Sequence, residues 1–170
     1  MGSDYTQSSG AGQPERRSTA EQEKVYEAVV DVFEKRISFN EFLGFQVQTL
    51  GTELVQLGFD MRPELVGHYL YGRLHGGVIS AVLDATGGLA VMWALCEQHA
   101  DETAAATMDR FAHLGTIDLR VDYLRSGIGE RFTASATMVR LGRRIATTRM
   151  TLTNENGREI ATATGTYIVS

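Results

Sequence analysis

Hydrophobic and polar positions along this chain follow three successive rhythms. Val25, Val29, Val32, Phe33 and Ile37 recur at helical spacing, which predicts a helix from about Thr19 to Arg36. Ser18 followed by Glu21 reads as a capping box at its start. Ser38 and Glu41 mark a second short helical turn, with Gly44 in the left-handed position beyond its end. From Phe45 the period drops to two: Phe45, Val47 and Thr49 alternate with glutamines, Gly51 breaks the run, and Leu54 to Met61 alternates again. That pattern predicts a two-stranded hairpin. Pro63 to Leu74 reads as a loop.

Gly76 to about Gln98 is apolar nearly all round, so the helix it predicts must be buried on most sides. Glu97 to Gly115 is a polar, alanine-rich connection with room for a little more helix. Four strands then follow in order: Thr116–Tyr123, Phe132–Arg140, Ile145–Thr153 and Glu159–Val169. Ser126-Gly127, Leu141-Gly142 and Asn156-Gly157 supply the turns between them. Gly165 inside the last strand is expected to mark a bulge. The sum is an α+β architecture of about six antiparallel strands curled around one long central helix, with an extra N-terminal helix.

Composition narrows the function classes. At 170 residues the chain has room for one ordinary domain. Residues 1–17 are Gly-, Ser- and Gln-rich and read as a disordered leader, leaving residues 18–170 as the single domain. A net charge of −5 argues against a nucleic-acid partner. Lys24 and Lys35 are the only lysines, so the positive charge is almost all arginine, which suits bidentate phosphate contacts. The single Cys96 excludes an internal disulfide and every multi-cysteine metal motif, and fits a reducing, cytoplasmic compartment. No charged segment leading into an apolar core opens the chain as a signal peptide would. Gly76 to Leu95 is long enough to suggest a membrane span, but it carries Asp84 and several small polar positions, so no membrane insertion is expected. No histidine pair has metal-ligand spacing on one helix, and neither a metal nor a cofactor is expected.

Candidate chemistry concentrates in the run from Leu74 to Gly88. His75-Gly76-Gly77 opens the central helix, where unpaired N–H groups and the positive dipole end lie. Glycine there lets a ligand oxygen approach the backbone, which is what an anion site or an oxyanion hole requires. Asp84 sits among aliphatic residues, and its helical neighbours Ser80, Ala81, Gly87 and Gly88 are all small. A carboxylate in such company either works on a substrate admitted by the small residues or faces a wet edge of the helix, and the pattern leaves both open. Gly76 and Asp84 are separated by a rise of roughly 12 Å along one helix. One helix cannot place both on the same small functional group. If they act together, they come from different subunits, and a dimer follows.

His75-Gly76-Gly77 followed after six residues by Asp84 resembles the signature of hotdog-fold thioesterases of the phenylacetate-pathway (PaaI-like) type. The resemblance covers about Phe42 to Val169. It includes Phe42-Leu43-Gly44-Phe45, Leu119-Arg120-Val121-Asp122-Tyr123-Leu124-Arg125 and Arg140-Leu141-Gly142-Arg143-Arg144-Ile145-Ala146. It implies a hotdog fold and hydrolysis of acyl-CoA by a dimer or dimer of dimers with active sites at the subunit interface. Asp84 would be general base or nucleophile, and the Gly76 N–H would polarise the thioester carbonyl. His75 would hold that loop, and Thr116 would orient the water. His68, standing where relatives often carry asparagine, and Gly77 would touch substrate. Arg143 and Arg144 would meet the CoA phosphates. The main alternative on the same fold is a non-catalytic acyl-CoA-binding or sensor module.

Overall fold

The computed structural model describes residues 15–170. Helix α1 (Thr19–Asp31) runs on through a wider π turn, Val32–Arg36, and α2 (Ser38–Leu43) ends at Gly44, whose φ of 73° is left-handed as expected. Strands β1 (Gln46–Leu50) and β2 (Val55–Asp60) form the first hairpin. The stretch expected to be a loop carries a 3-10 turn (Pro63–Leu65) and a small hairpin of β3 (Val66–His68) and β4 (Arg73–Leu74). Strands this short have no sequence period of their own. This hairpin is held from outside: His75 N–H donates to the Leu65 carbonyl and Leu74 N–H to that of Gly127.

Helix α3 spans Gly76–Gln98, α4 spans Ala104–Asp109, and the remaining strands are β5 (Gly115–Tyr123), β6 (Arg131–Leu141), β7 (Ile145–Asn154) and β8 (Glu159–Ile168). The six-stranded sheet has the order β1-β2-β6-β7-β8-β5, antiparallel throughout, and wraps α3 as a hotdog fold does. Val82, Leu83, Leu89 and Met92 on α3 are fully buried against Leu57, Phe132, Met150 and Leu152. Each such side chain contributes about 1.5–3 kcal/mol by leaving water. Small residues on the inner sheet face, Ala134, Ala136, Ala161 and Ala163, let the helix lie close. The apolar length of α3 is thus the length of the core.

Two expectations need correction. Gly165 is not a bulge: it pairs in register with Leu119 on β5 and Thr148 on β7. A Cβ there would meet the Tyr167 hydroxyl at 2.7 Å, so the glycine makes room for that ring. The β5–β8 irregularity lies on β5, between Thr116 and Asp118, where Ile117 is the extra residue, and β8 itself is irregular against β7 at Ile160. At the start of α1, Ser18 Oγ accepts from Glu21 N–H at 3.2 Å, but the Glu21 carboxylate does not reach back to complete a capping box. It accepts from Ala104 N–H at 2.9 Å and ties α1 to α4. Most of the expected leader, residues 1–14, lies outside the described residues. Arg17 is docked, its guanidinium donating to the carbonyls of Cys96, His99 and Ala100 at the end of α3.

Candidate active site

The expected site residues fall in three places. The first is a cleft of about 290 Å³ between α3, the α1–α2 corner and the start of β5. Ala81, Asp84, Ala85 and Gly88 lie on one face of α3 and form its floor. Phe33, Ile37, Phe39 and Asn40 stand opposite, with Leu114 beside them. Asp84 is half-buried here, with an aliphatic setting and an open side. Thr116 Oγ1 donates to Asp84 Oδ1 at 2.9 Å. The Tyr167 hydroxyl lies 3.3 Å from the same Oδ1 and 3.1 Å from the Asp84 carbonyl oxygen. Asp84 Oδ2 has no partner among the described residues.

Tyr167 went unnoticed in the sequence. Its ring is buried in β8, and burial, reinforced by the negative charge of Asp84, pushes its phenol well above the usual range. It is therefore a neutral donor wherever the protein works. Gly87 explains its access: a Cβ there would sit 2.1 Å from the Tyr167 hydroxyl and 2.9 Å from Thr148 Oγ1. Asn40 was also missed. With Leu43 it fills an inward slot of α2, is 5% exposed, and its Nδ2 has no hydrogen-bond partner. A polar residue in the apolar phase of a short amphipathic helix was the available signal.

The second place is the start of α3. His75 is the N-cap, its Nδ1 accepting from Gly77 N–H at 2.9 Å. That bond occupies the Gly77 donor, and a Cβ on Gly77 would press on His75 Nδ1 at 2.9 Å. The Gly76 N–H has no partner among the described residues, which leaves it as the free donor of the pair. The Tyr123 hydroxyl donates to the Gly76 carbonyl oxygen at 3.0 Å and lies 2.6 Å from Ser80 Oγ. A cleft of about 390 Å³ opens in front of Gly76, with Arg73 and Arg125 on its wall. His68 is in β3 nearby, stacked on Tyr69 and tilted against Tyr71, its Nδ1 unpartnered.

The third place is the β6–β7 turn. Arg143 borders a cleft of about 200 Å³ with His99, Arg110 and His113, Arg144 does not, and both arginines are exposed. Cys96 takes no part in any of these: burial pushes its thiol up to about 12, which leaves it protonated and inert.

Within one chain, then, the carboxylate and the free helix-terminal N–H lie in separate clefts. The first can hold a water for deprotonation and admit an apolar chain. The second can receive a carbonyl oxygen or an anion.

Comparison with known proteins places the chain in a family. The family described as the thioesterase superfamily matches residues 71–161. The medium/long-chain acyl-CoA thioesterase YigI of Escherichia coli (strain K12) is 40% identical over 147 residues, covering 86% of this chain and 95% of that protein. A crystal structure of a Shewanella oneidensis protein related to the thioesterase superfamily is 39% identical with a TM-score of 0.84, covering 91% of this chain and all (100%) of the other. A thioesterase family protein from Silicibacter pomeroyi is 26% identical with a TM-score of 0.65, covering 87% and 96%.

Proposed function

The chain belongs to the thioesterase superfamily and hydrolyses thioesters, and from that premise we propose that it cleaves acyl-CoA with Asp84 as the catalytic carboxylate. The observation that carries the reading is the state of that carboxylate. Two neutral hydroxyls, Thr116 and Tyr167, converge on Oδ1 and leave Oδ2 open toward an apolar cleft. Such an arrangement holds Oδ2 ready to take a proton from water, or to attack the carbonyl carbon itself. The apolar wall suits an acyl chain, in keeping with the medium- and long-chain substrates of the YigI relative.

The carbonyl oxygen needs a fixed donor as charge develops on it. In this proposal the donor is the Gly76 N–H of a second copy. β5 is the last strand of the sheet and, among the described residues, its outer edge is unpaired. Thr116, beside Asp84, lies near one end of β5, and Tyr123, beside Gly76, is at the other. Antiparallel pairing of two β5 strands about a twofold axis between Leu119 and Arg120 would bring the Thr116 end of one copy to the Tyr123 end of its partner. Two shared sites per dimer follow, and exposed Ile117, Tyr123 and Leu124 are the side chains such pairing would cover. His75 holds the Gly76–Gly77 turn, His68 and Gly77 shape its surroundings, and Arg143 with Arg144 is the phosphate contact in this reading. The single buried cysteine accords with a cytoplasmic setting.

The test is release of free CoA from a panel of short, medium, long and aromatic acyl-CoAs by wild type and Asp84→Asn. Turnover by wild type with a drop of about 10²-fold or more in the variant supports the proposal, since that factor is at least ~2.7 kcal/mol of barrier. Binding without cleavage would instead favour the sensor module.

A further inference from the structure

The cleft beside Asp84 holds one polar group that the hydrolytic chemistry above leaves without a task. Asn40 is 5% exposed and lines the same chamber as Asp84; its Nδ2 donates to nothing and is itself shut from solvent, so it meets a bound chain only when the carboxamide rotates. No hydrogen bond of its side chain is present among the described residues, so it caps no helix end and ties no strand. Its backbone carbonyl, by contrast, accepts from Phe45 N–H at 3.1 Å and serves the end of α2. The backbone role needs no particular side chain. Leu43, the other inward residue of α2, shows what packing alone selects at such a slot. A buried amide donor left unsatisfied disfavours the folded state, and such a group is retained where something else bonds it. Around Asn40 the chamber is otherwise aromatic and aliphatic, with Phe33, Ile37 and Phe39 on its own side.

We propose that Asn40 is a specificity-determining residue that hydrogen-bonds an oxygen substituent on the acyl chain close to the thioester, so that the cleft favours β-hydroxyacyl or β-oxoacyl groups over saturated ones. The inference rests on the acyl-CoA reading above. Rotation of the carboxamide about its last side-chain torsion exchanges Nδ2 and Oδ1, so the same residue can donate to an oxo group or pair with a hydroxyl. A saturated chain seated in the cleft leaves the amide unpaired and dry. An oxygenated chain satisfies it. This is discrimination by an otherwise orphaned polar group, which separates substrates more sharply than an added methylene does. The substituent must lie near the thioester because Asn40 and Asp84 share one small chamber.

The experiment measures kcat/KM for saturated, β-hydroxy and β-oxo acyl-CoAs of equal chain length. Wild type is run first, then Asn40→Leu and Asn40→Ser, with a melting curve for each. Wild type is expected to favour the oxygenated chains by about tenfold or more, expressed mainly in KM. Asn40→Leu is expected to abolish that preference, and Asn40→Ser, which keeps a small polar group, to retain part of it. Equal kcat/KM for all three substrates in wild type would overturn the proposal without any variant being needed. A preference that survives in Asn40→Leu would overturn it too, since another group would then be reading the oxygen. So would a uniform loss of kcat on every substrate, which marks a general role in holding water. Failure of wild type to hydrolyse any acyl-CoA would be a different result, sinking the acyl-CoA reading itself.

Discussion

Strand β5 meets a different half of the proposed chemistry at each end. At its start, Thr116 and the neighbouring Tyr167 clamp one oxygen of Asp84, and a walled apolar cleft lies in front of the other. At its end, Tyr123 holds the Gly76 carbonyl while the Gly76 N–H stays free over an open, arginine-lined cleft. The carboxylate half is furnished with donors, and the helix-terminal half is itself a donor. Each is ordered by its own chain, yet neither has what the other supplies. Preorganisation of the parts is a property of the monomer, and their convergence requires a second copy in the proposed arrangement.

The strongest way to break that comparison is to remove one member of each half. Asp84→Asn should lower kcat by about 10²-fold or more with the fold intact, read as CoA release. Gly76→Pro removes the one N–H at issue, and should lower kcat by about 10²–10³-fold. Proline is well suited to the first helical position, and His75, at φ −66° and ψ 137°, already has the backbone that a residue before proline prefers. A Cβ at Gly76 would come no nearer than 3.5 Å to Tyr123. Co-refolding the two inactive variants then sharpens the comparison. If sites are shared, half of the dimers carry one intact site of two, and activity returns to about a quarter of wild type. If each chain holds a whole site, the mixture stays inactive.

Smaller effects separate the donors within the carboxylate half. Thr116→Val keeps the shape and deletes one charge-assisted bond, and should cost about tenfold in kcat with KM little changed. The smallest effect concerns the helical layer above that cleft. The Glu21 carboxyl is held below its ordinary range by the Ala104 N–H and then by Lys24. Its folded value is the lower one, so its contribution is complete above the unfolded value of about 4.3 and disappears as pH falls through the folded value. Glu21→Gln should therefore lower Tm slightly at neutral pH, and the gap between variant and wild type should close on acidification below about pH 4.

Much of this was legible in the chain. The central helix was readable to its ends because apolar residues on every side and the His-Gly-Gly start are local signals. The four later strands came within a residue or so of their bounds because period-two alternation and turn glycines are local too. The small β3–β4 hairpin was not readable, since two or three residues carry no period. Tyr167 was hidden for a related reason: a tyrosine in a strand is ordinary, and only the glycines at 87 and 165, distant in sequence from each other, create its path to Asp84. Asn40 left a faint mark as a polar residue in an apolar phase, but its chamber is formed by α3 and β5 closing over it.

By itself the sequence determined the order of elements and the burial of the central helix, and it singled out Asp84 as the candidate carboxylate, because periodicity and chemical type are carried by neighbouring residues. Tertiary structure alone decided which side chains reach that carboxylate, which N–H at the helix start stays free, and that the two lie in separate clefts. Those are matters of distance between residues far apart in the chain, and distance is fixed only when helix and sheet pack together.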